Sequence, residues 1–262
     1  MPGPDFSSAV VRCQRRILEV RKSYVAGNRN AEVRLACSVR LDNYPCLLCS
    51  ANHSGNFGTG RKDKEFGMSE DVIVGVILAG GQGRRMGGRE KFALTLGGER
   101  LVDIAARRLE PQVKTIVVAS SREVGGGLAS CADIFEGSMG PLAGLHAAFA
   151  WAVETSPDFR AVVSIPVDCP FFPEDLVAQL DAAGPPAFAG DPERPHPIFG
   201  LWPRGIVGRL TARLESGVDL AIEVFAAEVG ARRVDFPDSK AFFNINREAD
   251  LEEAERLIDL TV

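Results

Sequence analysis

No stretch of the 262-residue chain holds the ~18 consecutive apolar residues that a membrane-spanning helix requires. The longest apolar run, around residues 72–79, has the length of a strand. Cysteine is scarce beyond residue 67, where Cys131 and Cys169 stand alone and too far apart for a disulfide framework to be expected. Residues 1–30 lack the apolar segment of a secretory signal, because Arg12, Arg15, Arg16, Arg21 and Lys22 interrupt them. The expected compartment is therefore the cytoplasm, with no membrane partner. Positive charge is also short: a net charge of −5 argues against nucleic acid as a partner held by overall charge. With 45% hydrophobic and 25% charged residues, the composition excludes a chain disordered throughout, a collagen-like repeat and a coiled coil.

What is present falls into two parts. Residues 1–67 carry 11 Lys+Arg against 6 Asp+Glu, a net of +5, whereas residues 68–262 carry 19 against 29, a net of −10. Four cysteines and both tyrosines also lie in the first part. Cys46, Cys49 and His53, with Cys37 upstream, have a spacing that a zinc ion accepts. The surrounding residues have no clean periodicity, so a disordered basic leader is the favoured expectation for 1–67. Met68 stands just before the first strong strand, which raises a second expectation: that the leader is a start-site artefact and the domain spans 68–262.

From residue 71 onward strands and helices alternate. Residues 72–78 form a β-branched and aliphatic run suited to a strand buried on both faces. Residues 101–109 read as a helix stopping near Pro111. Residues 115–119 read as a second strand, Ile134 and Phe135 as a short third, and 141–151 as a helix with Pro141 in its first turn. A fourth strand is expected at 161–167 and a helix from Pro173. Apolar segments follow at 187–189 and 198–202, helical stretches around Leu210 and Ile222, a short strand at 233–236 and a closing helix from Glu248. This rhythm predicts an α/β fold with a doubly wound, mostly parallel sheet, whose ligands sit at the carboxyl ends of the strands.

The loop after the first strand, LAGGQGRRMGGREK at 78–91, carries the most information. Eight glycines fall within residues 75–98, which lets backbone N–H groups approach an anion without side chains in the way. Two other phosphate motifs fail on spacing. A Walker A loop needs Gly-Lys-Ser/Thr, and a dinucleotide fingerprint starting at Gly81 and Gly83 needs glycine where Met86 stands. Arg84, Arg85, Arg89 and Lys91 add positive charge, some of it merely solvated.

This loop resembles the signature of nucleotidyltransferases with a Rossmann-like domain, and its form LAGG-x-G-RRMGG-x-x-K is most similar to the molybdenum cofactor guanylyltransferase family. The blocks GPLAG at 140–144, PVDCPF at 166–171, His196-Pro197 leading to Leu201-Trp202, and FFNIN at 242–246 with Asp250-Leu251 resemble that family in order. The likeness covers about residues 71–262. It implies transfer of GMP from GTP to molybdenum-bound molybdopterin, with release of pyrophosphate. A cytidylyltransferase, or an enzyme acting on another phosphorylated acceptor, is the alternative of the same build; a nucleotide sensor without activity is the alternative of another class.

The resemblance assigns Leu78, Ala79, Gly80, Gly81, Gly83 and Gly88 to the nucleotide, and Lys91 and Arg85 to phosphate neutralisation. From spacing alone Asp168 serves equally well as a turn or capping aspartate before Pro170; the resemblance makes it a Mg²⁺ ligand. Asp133 and Gly144 are expected beside the nucleotide. Arg194, His196, Asn244 and Asn246 are expected on the pterin side, where the two asparagines are otherwise ordinary turn residues. Trp202 is expected in the core. One departure concerns the base: where the family commonly offers asparagine after the second strand, this chain has Ala119, then Ser120 and Ser121. Contacts with other cofactor-biosynthesis proteins and recipient molybdoenzymes are expected from the family.

Overall fold

The apolar run at 72–78 forms the central strand, and every residue of β1 (Ile73–Leu78) is buried. The structure, a computed structural model, describes residues 72–80, 91–133, 135 and 140–259. The zinc-spaced Cys37, Cys46, Cys49 and His53, together with Met68, Gly81, Gly83, Arg84, Arg85, Gly88, Arg89 and Ile134, lie outside the described residues.

After β1 come a short hairpin of β2 (Thr95–Leu96) and β3 (Glu99–Arg100), then α1 (Leu101–Leu109), β4 (Thr115–Ala119) and β5 (Ala129–Cys131). Next are α2 (Pro141–Thr155), β6 (Ala161–Pro166), α3 (Leu176–Ala182), β7 (Ala187–Gly190) and β8 (Pro195–Pro203). The chain continues through α4 (Val207–Ser216), α5 (Ile222–Glu228), β9 (Arg232–Asp235) and α6 (Glu248–Asp259). Among the described residues, seven strands form one sheet in the order β5-β4-β1-β6-β8-β7-β9. β1 runs parallel to β4 and β6, as do β4 to β5 and β7 to β9, whereas β8 is antiparallel to both of its neighbours. The sheet is thus mostly parallel, as expected, with one reversed strand.

Alternation along β1 divides the core. Ile73 and Ile77 join the layer that holds Leu101, Leu109, Leu176 and Leu180 of α1 and α3. Val74, Val76 and Leu78 face Leu142, Leu145, Leu210 and Phe225 of α2, α4 and α5. Fully burying each such side chain contributes ~1.5–3 kcal/mol, so helices on both faces hold the sheet in a three-layer stack. The chain proceeds outward from β1 to β4 and β5, then returns to the other side of β1 as β6. Such a reversal opens a crevice at the carboxyl ends of β1 and β6.

Two details differ from the sequence expectation. The third strand lies at Ala129–Cys131, pairing with residues 117–119; of the two residues expected to form it, Ile134 is outside the described residues and Phe135 sits in a bend. It is a short, partly exposed edge strand, so its residues carry no apolar alternation. Phe135, whose bulk favoured a strand, instead meets His146 of α2 edge-on, with ring centroids 5.1 Å apart. The helix expected from Pro173 begins at Leu176.

β8 is longer than the apolar segment 198–202 and bulged. Phe188 of β7 pairs with Gly200, yet its neighbour Ala189 pairs with His196, which leaves residues 197–199 outside the ladder. Ser164 compensates: its Oγ donates to the Ile198 carbonyl at 2.7 Å and accepts from Trp202 Nε1 at 2.9 Å. Trp202 is fully buried, in keeping with a core role. A Cβ on Gly200 would lie 2.4 Å from the Trp202 ring, a rigid neighbour with nowhere to go. Gly200→Ala is therefore expected to destabilise the protein by ~1–3 kcal/mol, read as a lower urea midpoint at unchanged slope.

Candidate active site

The ends of three strands are pinned together. The Leu78 carbonyl accepts the Val167 N–H at 3.2 Å, and the Ala79 N–H donates to the Ala119 carbonyl at 3.1 Å. The glycine loop departs from this edge. Its first residues, Leu78 and Ala79, are buried, while Gly80 is exposed, and a Cβ there would meet nothing within 4 Å.

The loop returns at Lys91, which opens a short 3-10 turn. Its ammonium donates to Asp168 Oδ2 at 2.6 Å and to Asn246 Oδ1 at 2.6 Å. Both charged side chains are largely shielded, Lys91 at 20% exposure and Asp168 at 13%. Asp168 follows β6, and its carbonyl accepts the Ile245 N–H at 2.8 Å, which ties the strand end to the segment before α6. Asp250, in the first turn of α6, accepts from the N–H groups of Asn246 and Arg247 through one oxygen, at 2.8 Å each. This reaching back of a helix-start carboxylate fixes the approach to the helix, and Asn246 with it. Residues 77 and 155 positions apart from Lys91 thus converge on one ammonium. Cys169, next to Asp168, is buried, and burial together with the Asp168 charge pushes its thiol well above the ordinary range. Such burial disfavours the thiolate that a nucleophilic cysteine needs.

Asp133 lies just beyond β5 and is exposed, with partial shielding of its carboxyl raising it above the usual carboxylate range. A Cβ on Gly144 would come 2.9 Å from Leu78 Cδ2, 3.1 Å from Ala119 Cβ and 4.0 Å from Asp133 Oδ1. The missing side chain lets the first turn of α2 settle on the ends of β1 and β4, close to Asp133. Gly140, with φ at +68°, turns the chain into Pro141, the first residue of that helix. Ala119 is buried under Gly144. Ser120 Oγ accepts the Arg122 N–H at 3.1 Å and keeps its own proton to donate.

A cavity of about 270 Å³ opens nearby, lined by Arg194, His196, Pro197, Phe242 and Asn244 among others, with Cys169 at its floor. The β8 bulge supplies Pro197 to its wall. Asn244 Oδ1 is buried without a hydrogen-bond partner among the described residues, a position that calls for a donor. The sequence grouped Asn244 with Asn246, but the structure separates them: Asn244 lines the cavity, whereas Asn246 holds Lys91.

His196 is buried and bonded through Nε2 to Asp191 Oδ2 at 2.7 Å. Asp191 escaped the sequence reading because no motif marks it. The His196 bond, with the backbone N–H groups of Arg194 and Glu193, lowers its carboxyl to about 2. An unfolded aspartate titrates near 3.9, so this bonding stabilises the fold fully above pH ~4 and loses its effect as pH falls through about 2. In urea titrations, the advantage of wild type over Asp191→Asn is expected to vanish over that interval.

Fold and site together define a class. A glycine loop leaves the central strand at a switch-point crevice, with a lysine and a hard carboxylate at its mouth, as in α/β domains that bind nucleotide phosphates. Comparison with known proteins narrows this. The profile of the MobA-like NTP transferase domain matches residues 75–228. A molybdenum cofactor guanylyltransferase of Cereibacter sphaeroides is 44% identical over 192 residues, covering 71% of this chain and 97% of that protein. One from Rhizobium johnstonii is 39% identical over 209 residues, covering 74% and 97%. Among solved structures, the molybdopterin-guanine dinucleotide biosynthesis protein A of Archaeoglobus fulgidus shares the fold at 24% identity and a TM-score of 0.56, covering 72% of this chain and all of that one. The chain belongs to the MobA-like NTP transferase family.

Proposed function

We propose that this protein transfers GMP from GTP to the phosphate of molybdenum-bound molybdopterin, forming the guanine dinucleotide cofactor and pyrophosphate. The observation that carries the reading is the Lys91–Asp168–Asn246 cluster, set where the chain after the glycine loop meets the end of β6, with a cavity of about 270 Å³ nearby. The guanylyltransferase relatives matched across nearly their whole length support guanine as the base and the pterin as acceptor.

An acceptor phosphate oxygen forms a bond to the α-phosphorus of GTP, and the bond from that phosphorus to the bridging oxygen of pyrophosphate breaks. The attacking oxygen is already ionised, so no general base is needed and His196 is not assigned that role. Both reactants are polyanions, and catalysis consists of holding them in line and neutralising charge. Leu78, Ala79, Gly80, Gly81, Gly83 and Gly88 offer backbone to the triphosphate. Lys91 and Arg85 offset its charge, and Asp133 and Gly144 border the nucleotide. Arg194, His196 and Asn244 face the pterin side, and Asn246 orients Lys91.

A divalent metal accompanies this chemistry, and Mg²⁺ is the ion proposed. The donors fit it: Asp168 is a single hard carboxylate, and Mg²⁺ is ordinarily held by one or two carboxylates plus substrate phosphates and water. Among the described residues no three His, Cys, Asp or Glu side chains cluster, so side chains alone do not complete a metal site there. When bound, the ion neutralises charge on the phosphates. Among the described residues no helix is long and apolar enough to cross a membrane. We place the enzyme in the cytoplasm, in contact with other cofactor-biosynthesis proteins and recipient molybdoenzymes.

Ala119 makes base selectivity the sharpest test. Pyrophosphate release with the pterin acceptor present is expected to be fastest with GTP across a panel of four nucleoside triphosphates. Preference for CTP would replace guanylyl with cytidylyl transfer, and nucleotide binding without pyrophosphate release would make the protein a sensor.

A further inference from the structure

The turn after β7 and the start of β8 bring together a buried carboxylate–imidazole pair that phosphoryl chemistry does not use. Asp191 is 2% exposed and His196 8%. Asp191 Oδ1 accepts the backbone N–H groups of Glu193 and Arg194, at 2.8 Å each, and Oδ2 meets His196 Nε2 at 2.7 Å. Both carboxylate oxygens are therefore engaged, one on the backbone and one on the ring. The Asp191 N–H closes the turn on the Arg194 carbonyl at 3.0 Å, and the Arg233 guanidinium donates to the Asp191 carbonyl. The imidazole is also fixed by its faces. It stacks on Phe242 with centroids 4.4 Å apart and planes 21° from parallel, and Phe199 meets it at 89°.

An ionised carboxylate only accepts hydrogen bonds, so the Nε2 that faces it must carry a proton. Nδ1 is then the ring nitrogen left for anything outside the pair, and it has no hydrogen-bond partner among the described residues. The same ring lines the cavity beside Asn244, whose buried Oδ1 is likewise unpartnered, and beside Arg194. With the ring neutral, Nδ1 is an acceptor, and a ligand with hydrogen-bond donors along a flat heterocyclic edge and an anionic group matches two acceptors and a guanidinium.

We propose that Asp191 is a positioning residue for the acceptor substrate: by holding the Nε2–H tautomer of His196, it reserves Nδ1 as a hydrogen-bond acceptor for the donor edge of the pterin. This rests on the pterin being the acceptor, as proposed above. Asp191 does not touch the substrate. It acts through the ring and through the turn that carries Arg194.

Two variants separate the tautomer from mere stability. Asp191→Asn keeps an oxygen for the two backbone N–H groups and turns an amide NH₂ toward Nε2, so the ring must move its proton to Nδ1. His196→Gln keeps a donor at the place of Nε2, and so keeps Asp191 bonded, but deletes the atom at Nδ1. ¹⁵N spectra of the labelled, substrate-free protein at alkaline pH are expected to show His196 protonated on Nε2 in wild type and on Nδ1 in Asp191→Asn. In both variants KM for the pterin acceptor is expected to rise about tenfold to a hundredfold, with GTP affinity unchanged in calorimetric titration.

A wild-type His196 protonated on Nδ1, or an Asp191→Asn spectrum identical to wild type, would overturn the proposal. So would a His196→Gln enzyme with a wild-type KM for the pterin, or one that loses GTP affinity in the same proportion. The spectra need no substrate. A wild-type enzyme that uses GTP but no pterin would therefore remove the proposed acceptor and the role of Nδ1 toward it, while the tautomer itself is judged separately.

Discussion

Lys91→Ala is expected to lower turnover by about 10³-fold, the scale on which removal of a single phosphate-stabilising cation acts in other phosphoryl transfers. Lys91 is the only cation among the described residues that bonds both the carboxylate after β6 and an asparagine before α6. Its removal takes away charge where two polyanions must approach and leaves Asp168, at 13% exposure, without its partner. The fold is expected to survive, because the strand pairing and the Asp168 carbonyl bond to Ile245 do not involve the ammonium. Pyrophosphate release with circular dichroism as a control measures both. Wild-type turnover in the folded variant would remove Lys91 from the reaction.

Asp168→Asn is expected to be at least as severe. The amide has nearly the same volume and its oxygen still accepts from Lys91, so geometry is retained while the negative charge and the hard metal ligand are lost. A loss of about 10³-fold or more, without recovery when Mg²⁺ is raised, distinguishes a lost ligand from a weakened site. Full recovery at high Mg²⁺ would show that Asp168 only assists binding. The pair also separates two kinds of contribution: Lys91→Ala removes positive charge, Asp168→Asn negative charge, and both are expected to fail. A merely structural ion pair, shielded as this one is, would cost stability and leave the turnover of the folded variant unchanged.

The parallel half of the molecule was legible because its signals are local. Continuous apolar runs at 72–78 and 161–167 can be satisfied only by strands covered on both faces, and the structure places them side by side as β1 and β6. Asp168 could be placed from the same reasoning, since it follows one of those runs. The reversed β8 was not legible, because strand direction is set by partners far away in sequence. Its bulge depends on Ser164 bonding a carbonyl 34 positions on, and no window of sequence contains both. β5 was missed for a different reason: an edge strand has little to bury, so apolar pattern is silent there.

The site shows the same division. Lys91 and Asp168 stood out by residue type and neighbourhood, but the bond from Lys91 to Asn246 joins residues 155 positions apart and moves that asparagine to the lysine. Asp191 had no signal except a histidine five residues later. What makes it conspicuous is burial, a property of the folded chain. Gly144 was associated with the nucleotide through its motif. The structure adds the reason glycine is needed: Leu78 and Ala119 occupy the space a side chain would take.

A crystal structure of the protein with GTP and Mg²⁺ tests the central claim most directly. The triphosphate is expected against the backbone after Leu78, with Lys91 on its oxygens and Asp168 on the metal. A nucleotide bound anywhere else, or phosphates that touch neither Lys91 nor Asp168, would contradict it.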